Sequence, residues 1–309
     1  MRQVILSAFR HFLVPLDGSP MAEAALPVAV GLAGPLGAAI TLLHIPERSA
    51  PRTIHGEPHL HDPDSAAVYL AAVAERWKAA GVPLDWHVHS AKEGDVAQSV
   101  VDHAVETGID LIVLTSHGHG GIRDLLFGSI AQQVLRRGSA PTLIVRPPAD
   151  GQPGPYHVRS ILVPLDGTPE AESGLNLARE IAVATRARLV LASVIPTLGT
   201  ATGDLAVSAT FSPTATAAVL DLSQSDAEQY LEDKAADLRQ SGQEVRTSVT
   251  RGKTAQQLAA VADLNQVNLV VLATHGRSGL DGTFNGSLAP RLVAGFHQPV
   301  LLVRIVTAD

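Results

Sequence analysis

The chain has 309 residues, 46% apolar and 17% charged, which is enough hydrophobic sequence for about two folded domains of ~150 residues each. A net charge of −7 and the lack of a long Lys/Arg run argue against nucleic acid or an anionic membrane as the main partner. The sequence has no cysteine, which excludes disulfides, thiolate catalysis and cysteine-based zinc sites.

The first segment, MRQVILSAFRHFLVPLDGSP, lacks an apolar core followed by a small-residue cleavage site, so we expect no secretory signal. No run of about 18 uninterrupted apolar residues occurs, so we expect no membrane-spanning helix. These observations predict a cytoplasmic protein without a membrane partner.

Predicted strands and helices alternate along the first half of the chain. Ser19 is expected to cap the first helix, with Pro20 at its first position, and Pro27 is expected to kink it. The predicted elements, in chain order, are a strand at Phe12–Leu16, the helix after Ser19, a strand at Ala39–Ile45, a helix at Ser65–Ala80, a strand at Asp85–His89, a helix at Asp95–Glu106, a strand at Asp110–Thr115, a helix from Ser129 and a strand at Pro141–Pro147.

The second half of the chain repeats the first. LVPLDG at Leu13–Gly18 recurs at Leu162–Gly167, an offset of 149 (162 − 13). LTSHGHGGIRDLLFGS at Leu114–Ser129 corresponds to LATHGRSGLDGTFNGS at Leu272–Ser287, an offset of 158 (272 − 114). A duplicated sequence of this kind predicts two copies of one structural unit.

The difference between the two offsets indicates an insertion in the second copy. It is expected in the Ala/Thr/Ser-rich segment Thr197–Ser223, which corresponds to Glu47–Asp64 in the first copy. Long segments at matching positions predict a variable loop on one face of each unit. Pro and Gly residues mark a linker between the units. We therefore expect a first module over 1–148, a linker over 149–157 and a second module over 158–309.

The strands are continuous apolar runs, which is typical of parallel strands covered by helices on both faces. The predicted fold is therefore α/β, with two tandem open parallel five-stranded sheets and helices on both faces of each, a Rossmann-like arrangement. The last strands, PTLIVRP and PVLLVRI, are apolar edge strands and are candidates for pairing with each other, although a covered, unpaired edge is the alternative.

Ligands of open α/β sheets bind beyond the carboxyl ends of the strands, where the strand order reverses. The loop with Asp17 and the glycine-rich stretch that ends at Ser129 are expected to meet there, and Asp166 marks the same place in the second copy. Ser129 is expected to cap the following helix, whose N-terminus favours phosphate. The alternative is that the glycines only punctuate loops and the serine only caps.

These motifs resemble those of tandem universal stress proteins. The residues that carry the resemblance are LVPLDGS, LLHI, DLIVLTSHG and FGS in the first copy, and LVPLDGT, NLVVLATHG and NGS in the second. The ATP-binding branch of that family has Gly, two residues, Gly, nine residues and Gly-Ser/Thr. The later glycines and the serine match in both copies, whereas Thr115 and Ala273 replace the first glycine.

The resemblance implies an ATP-binding stress-response regulator, with ATP (or ADP or AMP) bound in each module and Mg²⁺ or Mn²⁺ on its phosphates. It also implies modules packed through their last strands, a homodimer of tandem chains, an unidentified protein partner and no catalytic residue. Asp17 and Asp166 would contact the nucleoside, and the backbone at Ile45 and Val194 would meet adenine. The alternatives are a slow ATPase or phosphotransferase, and an interaction scaffold that binds no nucleotide.

The two sites are not expected to be equal. His119 corresponds to Arg277, while Arg123 corresponds to Asp281, whose charge should weaken triphosphate binding in the second module. The expected binding residues are Pro15, Asp17, Ser19, Ile45, Thr115, Gly118, His119, Arg123, Gly128, Ser129 and Ile130 in the first module, and Pro164, Asp166, Thr168, Val194, Ala273, Gly276, Arg277, Gly286, Ser287 and Leu288 in the second.

Other motifs favour less specific interpretations. RGKTAQQL at Arg251–Leu258 lacks the upstream glycine of a phosphate-binding P-loop. His55, His59 and His61 could ligate zinc or nickel but lie in a variable segment, where a solvated loop is favoured. His87 and His89 share one face of a strand, which we ascribe to solvation at a sheet edge. The repeated His117 and His275 are assigned a structural role.

Overall fold

A computed structural model describes residues 9–46, 53–54, 57–58, 60, 62–89, 95–116, 128–147, 154–275 and 288–305. Within these ranges the chain folds as two similar halves. The first half contains, in chain order, β1 (His11–Pro15), α1 (Pro20–Glu23), α2 (Leu26–Leu36), β2 (Ala39–His44), β3 (Thr53–Ile54), β4 (Glu57–Pro58), α3 (Pro63–Trp77) with a 3-10 turn (Lys78–Ala80), β5 (Leu84–Val88), α4 (Val96–Glu106), β6 (Leu111–Thr115), α5 (Ser129–Arg137) and β7 (Thr142–Val145). The second contains β8 (Ser160–Pro164), α6 (Pro169–Thr185), β9 (Arg188–Ile195), α7 (Gly203–Phe211), α8 (Pro213–Gln240), β10 (Val245–Arg251), α9 (Thr254–Leu264), β11 (Leu269–His275), α10 (Leu288–Gly295) and β12 (Val300–Ile305).

Ten of these strands form one continuous sheet, in the order β10-β9-β8-β11-β12-β7-β6-β1-β2-β5. Each half contributes five strands that are parallel to one another. The halves join where β7 and β12 pair antiparallel, with Leu143 opposite Leu301. The predicted α/β fold and the predicted pairing of the last strands are confirmed, and the two expected sheets are halves of a single sheet.

Helices cover both faces of the sheet and bury two apolar cores, each of which runs through both halves. One core packs α2, α3, α6 and α8 against residues such as Phe12 and Val14. The other packs α4, α5, α9 and α10 against residues such as Leu13 and Leu43. Consecutive residues of β1 therefore point into opposite cores, which explains why the strand is apolar throughout.

Two arginines cross the seam between the halves in equivalent ways. Arg146, just after β7, donates from Nη2 to the carbonyl oxygen of Ala294 in α10 over 3.3 Å. Arg304 in β12 donates to the carbonyl oxygen of Gly138, which directly follows α5. The last carbonyls of a helix lack intrahelical partners and carry partial negative charge, so each guanidinium stabilises a helix end of the other half.

The described part of the predicted linker is docked. Tyr156 packs against the first core, and its hydroxyl donates to the backbone carbonyl of Asn268. Burial raises the pKa of Tyr156. A Cβ atom added at Gly31 of α2 would lie 2.1 Å from the carbonyl oxygen of Tyr156. Glycine at position 31 therefore allows the chain to cross α2 at close range.

Two sequence predictions about helices are corrected by the structure. Pro27 does not kink a continuous helix, because it lies in the first turn of α2, where a missing N–H costs no helical hydrogen bond. The segment Thr197–Ser223 is not a loop, since α7 and the first turns of α8 occupy most of it. In the first half the corresponding segment includes the short antiparallel pair of β3 and β4. No helix among the described residues combines the length and the apolar character needed to cross a bilayer.

Candidate nucleotide site

The turn after β1 holds Asp17 in one orientation. Its Oδ1 atom accepts hydrogen bonds from the backbone N of Ser19 (2.9 Å) and from the Ser19 hydroxyl (2.6 Å). The same hydroxyl accepts from the backbone N of Ala22 over 3.2 Å, so Ser19 caps α1 as the sequence predicts. Ser19 is fully buried, and its two hydrogen bonds to Oδ1 fix the orientation of the Asp17 carboxylate. Among the described residues, Asp17 Oδ2 has no hydrogen-bond partner.

The second half repeats this turn. Asp166 Oδ1 accepts from the backbone N of Thr168 (3.0 Å) and from its hydroxyl (2.6 Å). Thr168 in turn accepts from the backbone N of Ala171 over 3.3 Å and caps α6. Gly18 and Gly167 have φ values of 91° and 84°, a region that strains any other residue. Local geometry therefore accounts for the repeated Asp-Gly-Ser/Thr sequence.

A cavity of about 110 Å³ lies at the carboxyl ends of β1, β2 and β6, between α4 and α5. Five of the predicted binding residues line it, and each comes from a different element or turn. These five residues are Pro15, Asp17, Ile45, Thr115 and Ile130. The strand order reverses at this point, because β1 has β2 on one side and β6 on the other. The structure thus brings the turn with Asp17 and the start of α5 to one pocket.

Most of the cavity wall is apolar. Leu43 and Ile45 contribute from the end of β2, Val100 from α4 and Leu114 from β6. The lining side chains that carry polar atoms are those of Asp17, His44 and Thr115. An apolar slot with a carboxylate at one end is a chemical match for a flat heterocycle attached to a hydroxyl-bearing sugar.

The start of α5 presents free backbone donors next to this cavity. Gly128 is the N-cap residue and supplies no side-chain cap, while Gln132 N bonds to Gly128 O over 3.1 Å. The N–H groups of residues 129–131 precede that first helical bond and have no intrahelical acceptor. Ser129 is exposed and is the first helical residue, so the prediction that it caps the helix is wrong. Ile130 and Ala131 line the cavity.

His44 is a pocket residue that the sequence interpretation missed. It is buried, with Nδ1 placed 2.8 Å from the carbonyl oxygen of Leu16 and Nε2 placed 3.1 Å from that of Leu60. The ring therefore ties the turn that precedes Asp17 to the segment before α3. Its position in the LLHI motif was visible, but the sequence could not show that both ring nitrogens meet carbonyls.

A larger cavity, of about 320 Å³, lies at the opposite end of the first-half strands and is mostly apolar. Asp110 is the carboxylate at its wall, and burial raises its pKa. Both Asp110 oxygens already accept backbone N–H groups, Oδ2 from Arg10 (2.6 Å) and Oδ1 from His11 (3.1 Å). Asn268 makes the equivalent bonds in the second half, which indicates a structural turn at both positions.

The sequence profile described as "Universal stress protein family" matches residues 8–146 and 157–304. The chain belongs to the universal stress protein family. "Universal stress protein YxiE" of Bacillus subtilis (strain 168) is 28% identical over 153 residues, covering 45% of this chain and 99% of that protein. The crystal structure of a universal stress protein from Archaeoglobus fulgidus DSM 4304 superposes with a TM-score of 0.68 at 18% identity, covering 95% of this chain and 98% of that chain, and shows the shared fold.

A universal stress protein solved in complex with cAMP is 25% identical and covers 45% of this chain and 98% of that chain, with a TM-score of 0.34.

Several of the binding residues predicted from the sequence lie outside the described ranges: Gly118, His119, Arg123, Gly276, Arg277, Gly286 and Ser287. Pro164 ends β8, Val194 lies in β9 and Ala273 in β11, while Leu288 begins α10.

Proposed function

We propose that the chain binds an adenine nucleotide, ATP, ADP or AMP, in a pocket in each module and acts as a stress-response regulator. The observation that supports this most strongly is the cavity beside β1, which gathers Asp17, Ile45, Thr115 and Ile130 from distant parts of the sequence. A homodimer of tandem chains and an unidentified protein partner belong to the same proposal.

Three parts of the pocket match three parts of a nucleotide. The apolar wall formed by residues such as Leu43 and Ile45 suits the base. The Oδ2 atom of Asp17, which has no hydrogen-bond partner among the described residues, is an acceptor for ribose hydroxyls. The backbone N–H groups at the start of α5 suit phosphate, because a helix N-terminus carries partial positive charge. A bound Mg²⁺ or Mn²⁺ would neutralise phosphate charge, a task for which the described pocket offers no cationic side chain.

The described pocket favours binding over turnover. Its carboxylate, Asp17, is bonded through Oδ1 to Ser19. Its histidine, His44, has both ring nitrogens next to carbonyl oxygens. The His44 nitrogens are engaged by these carbonyls, and the proposal assigns Asp17 to the ribose rather than to water at a terminal phosphate. A change of conformation or partner on binding would then require different nucleotide affinities in two states.

The proposal is tested by titrating the full chain with ATP, and by mass spectrometry of the denatured protein for co-purified nucleotide. Gly128→Asp is the key variant. An Asp at this N-cap position, where φ is −60° and ψ is 152°, suits the helix but occupies the free N–H groups with a negative charge. We expect at least a ~10-fold weaker first site, about 1.4 kcal/mol.

Val105→Asp adds the same charge on the exposed side of α4 and should leave ATP affinity unchanged. Gly286→Asp is the matched change in the second module and should remove less of the total binding, because Asp281 is expected to weaken that site already. No nucleotide binding by the wild-type chain would favour the scaffold alternative. Multiple-turnover phosphate release would favour the enzyme alternative. Equal affinity in Gly128→Asp and the wild type would contradict the proposed pocket.

A further inference from the structure

Three histidines converge on the outer edge of the first half. His87 lies in β5, His89 directly follows that strand, and His103 lies in α4. The ring of His103 stacks on that of His87 with centroids 5.0 Å apart, and its centroid is 5.6 Å from that of His89. His87 is exposed on the edge strand β5, as inferred from sequence, but nothing in the sequence indicated that His103 is buried beside these two rings.

The fold fixes which face of the sheet these side chains share. His87 pairs with Leu43 of β2, and Leu43 belongs to the core that α4 covers. Neighbouring residues on paired parallel strands point to the same face, and residues two apart on a strand do so as well. His89 is held in place by a hydrogen bond from its backbone N to the carbonyl oxygen of His44, over 2.9 Å. The three imidazoles therefore project from rigid backbone.

The spacing suits one small cation. One nitrogen from each of the three rings lies within 4.8 Å of the other two. Tetrahedral zinc with bonds of about 2.0–2.1 Å holds its ligand nitrogens roughly 3.4 Å apart. A metal at this position would therefore require exposed His87 and partly exposed His89 to rotate toward buried His103.

Burial sets the electrostatic environment of His103. Burial lowers the pKa of His103, electrostatic interaction with His87, His89 and His11 acts in the same direction, and Glu106 opposes it. His11 faces this region from β1, where its Nε2 lies 2.7 Å from the hydroxyl of Thr41.

We propose that His87, His89 and His103 form a site for a borderline divalent transition metal, of which Zn²⁺ is the simplest case. Three imidazole ligands favour Zn²⁺, Ni²⁺ or Cu²⁺ over Mg²⁺ or Ca²⁺, so this site differs in chemistry from the proposed nucleotide pocket. Exposed His87 leaves a fourth coordination position open to water or to a further ligand. The bound metal would fasten the edge strand β5 to α4.

The second half provides an internal comparison. Leu43 of β2 and Ala192 of β9 occupy equivalent positions in the two halves. Leu43 pairs with His87 and Ala192 pairs with Ser248, so Ser248 is the second-half equivalent of His87. Two residues later Thr250 replaces His89, and Val261 of α9 occupies the position of His103. The equivalent surface of the second half therefore has no imidazole, and the proposal assigns one metal to each chain.

The test is titration of the full chain with ZnCl₂ by isothermal calorimetry, and with Co²⁺ by visible absorption, in a buffer without phosphate or nucleotide. We expect one equivalent of Zn²⁺ to bind with a Kd below ~10 μM and Co²⁺ to give a tetrahedral spectrum. His87→Gln, a change at an exposed position, should weaken Zn²⁺ binding at least ~10-fold while the far-UV circular dichroism stays the same.

Two controls separate this site from other histidines. His157→Gln alters an exposed histidine elsewhere and should bind Zn²⁺ as the wild type does. A triple variant with His55, His59 and His61 changed to Gln should also bind one equivalent of Zn²⁺ as tightly as the wild type. Three results would each overturn the proposal. They are loss of tight Zn²⁺ binding in the triple variant, unchanged Zn²⁺ binding in His87→Gln, and no binding by the wild type at 100 μM Zn²⁺ (~10 times the expected Kd).

Discussion

The two halves share a tyrosine–glutamate contact that joins neighbouring helices. Tyr69 of α3 donates to Glu23 of α1 over 3.0 Å, and Tyr230 of α8 donates to Glu172 of α6 over the same distance. Burial, followed by the nearby carboxylate, raises the pKa of both tyrosines. The basic residue that forms a salt bridge with this glutamate differs: it is Arg76 in the first half and Lys234 in the second. The tyrosine–carboxylate contact is thus kept while its exposed ion pair varies.

The halves differ at positions that a ligand or a loop would meet. His44 of the pocket corresponds to Ser193, since the two lie 149 residues apart (193 − 44), and the histidine cluster has no second-half equivalent. Asp95 caps α4 through a bond from Gln98 N over 3.1 Å, whereas Lys253 occupies the same position before α9 without a side-chain cap. Duplication has therefore preserved the scaffold more strictly than the surfaces around it.

The largest expected effect concerns the linker, which crosses only the first half. Gly31 corresponds to Glu180 in the second half (180 − 31 = 149), where a side chain is accommodated. Gly31→Ala should lower the free energy of unfolding by about 3 kcal/mol, because its Cβ would overlap the Tyr156 backbone. Urea denaturation measures this change.

Gly34→Ala is the matched control on the same helix. The nearest atom to its Cβ is Val82 Cγ2 at 3.8 Å, and the helix propensity of alanine is opposed by the restriction that Pro35 places on the residue before it, so the variant should stay within about 1 kcal/mol of the wild type. Equal stability of the two variants would show that the linker does not dock as described.

The next effect concerns the buried histidine. His44→Ser installs the second-half residue and should cost about 2 kcal/mol, because a carbonyl beside the ring, that of Leu16 or Leu60, loses its imidazole donor. Thermal unfolding measures the loss, with His157→Gln as an exposed control. A change below about 0.5 kcal/mol would mean that serine and water satisfy these carbonyls equally well.

A smaller effect is expected at the helix caps, with a defined pH dependence. Hydrogen bonds from Arg137 and from Gln98 N hold the pKa of Asp95 below its usual value. The contribution of Asp95 is therefore present above the unfolded pKa of about 4 and is lost as pH falls through the lower folded value. Asp95→Ala should cost about 1 kcal/mol at pH 7 and progressively less toward pH 2.

Lys253→Asp is the converse test, because it introduces a capping carboxylate at a helix start that has no side-chain cap. Its backbone is already extended, with φ −76° and ψ 120°, so an Asp side chain could cap α9 and add about 0.5–1 kcal/mol at pH 7. Urea denaturation at both pH values measures the two variants together. A destabilised Lys253→Asp would show that the lysine makes a contribution which the cap geometry does not reveal.

Local sequence signals were sufficient for the scaffold. The repeated LVPLDG, the Ser19-Pro20 helix start and the continuous apolar strands predicted the two five-stranded units. The apolar last strands were candidates for pairing, and the family resemblance favoured pairing over a covered edge. The turn with Asp17 and the loop that precedes α5 could be placed at one pocket because carboxyl ends of parallel strands share one edge of a sheet, whereas Ile45 was assigned through the family resemblance.

Other features depend on information that a local pattern does not contain. Pro27 reads equally as a kink or as the start of a new helix, and the break at Ala24–Ala25 decides between them. The segment Thr197–Ser223 resembled a loop by composition, although its Ala and Leu residues also favour helix. His103 lies 14 residues from His89 (103 − 89), and only the crossing of α4 over β5 brings the rings together.

The antiparallel seam between β7 and β12 joins two halves of one polypeptide. Dilution cannot separate strands that share a chain, so the joined state persists at concentrations where two free subunits would dissociate. Covalent joining also removes the requirement that both partners have the same sequence, which a symmetric pair of identical subunits must obey. One half is thereby free to acquire a new surface, such as a cluster of imidazoles, without its copy doing so.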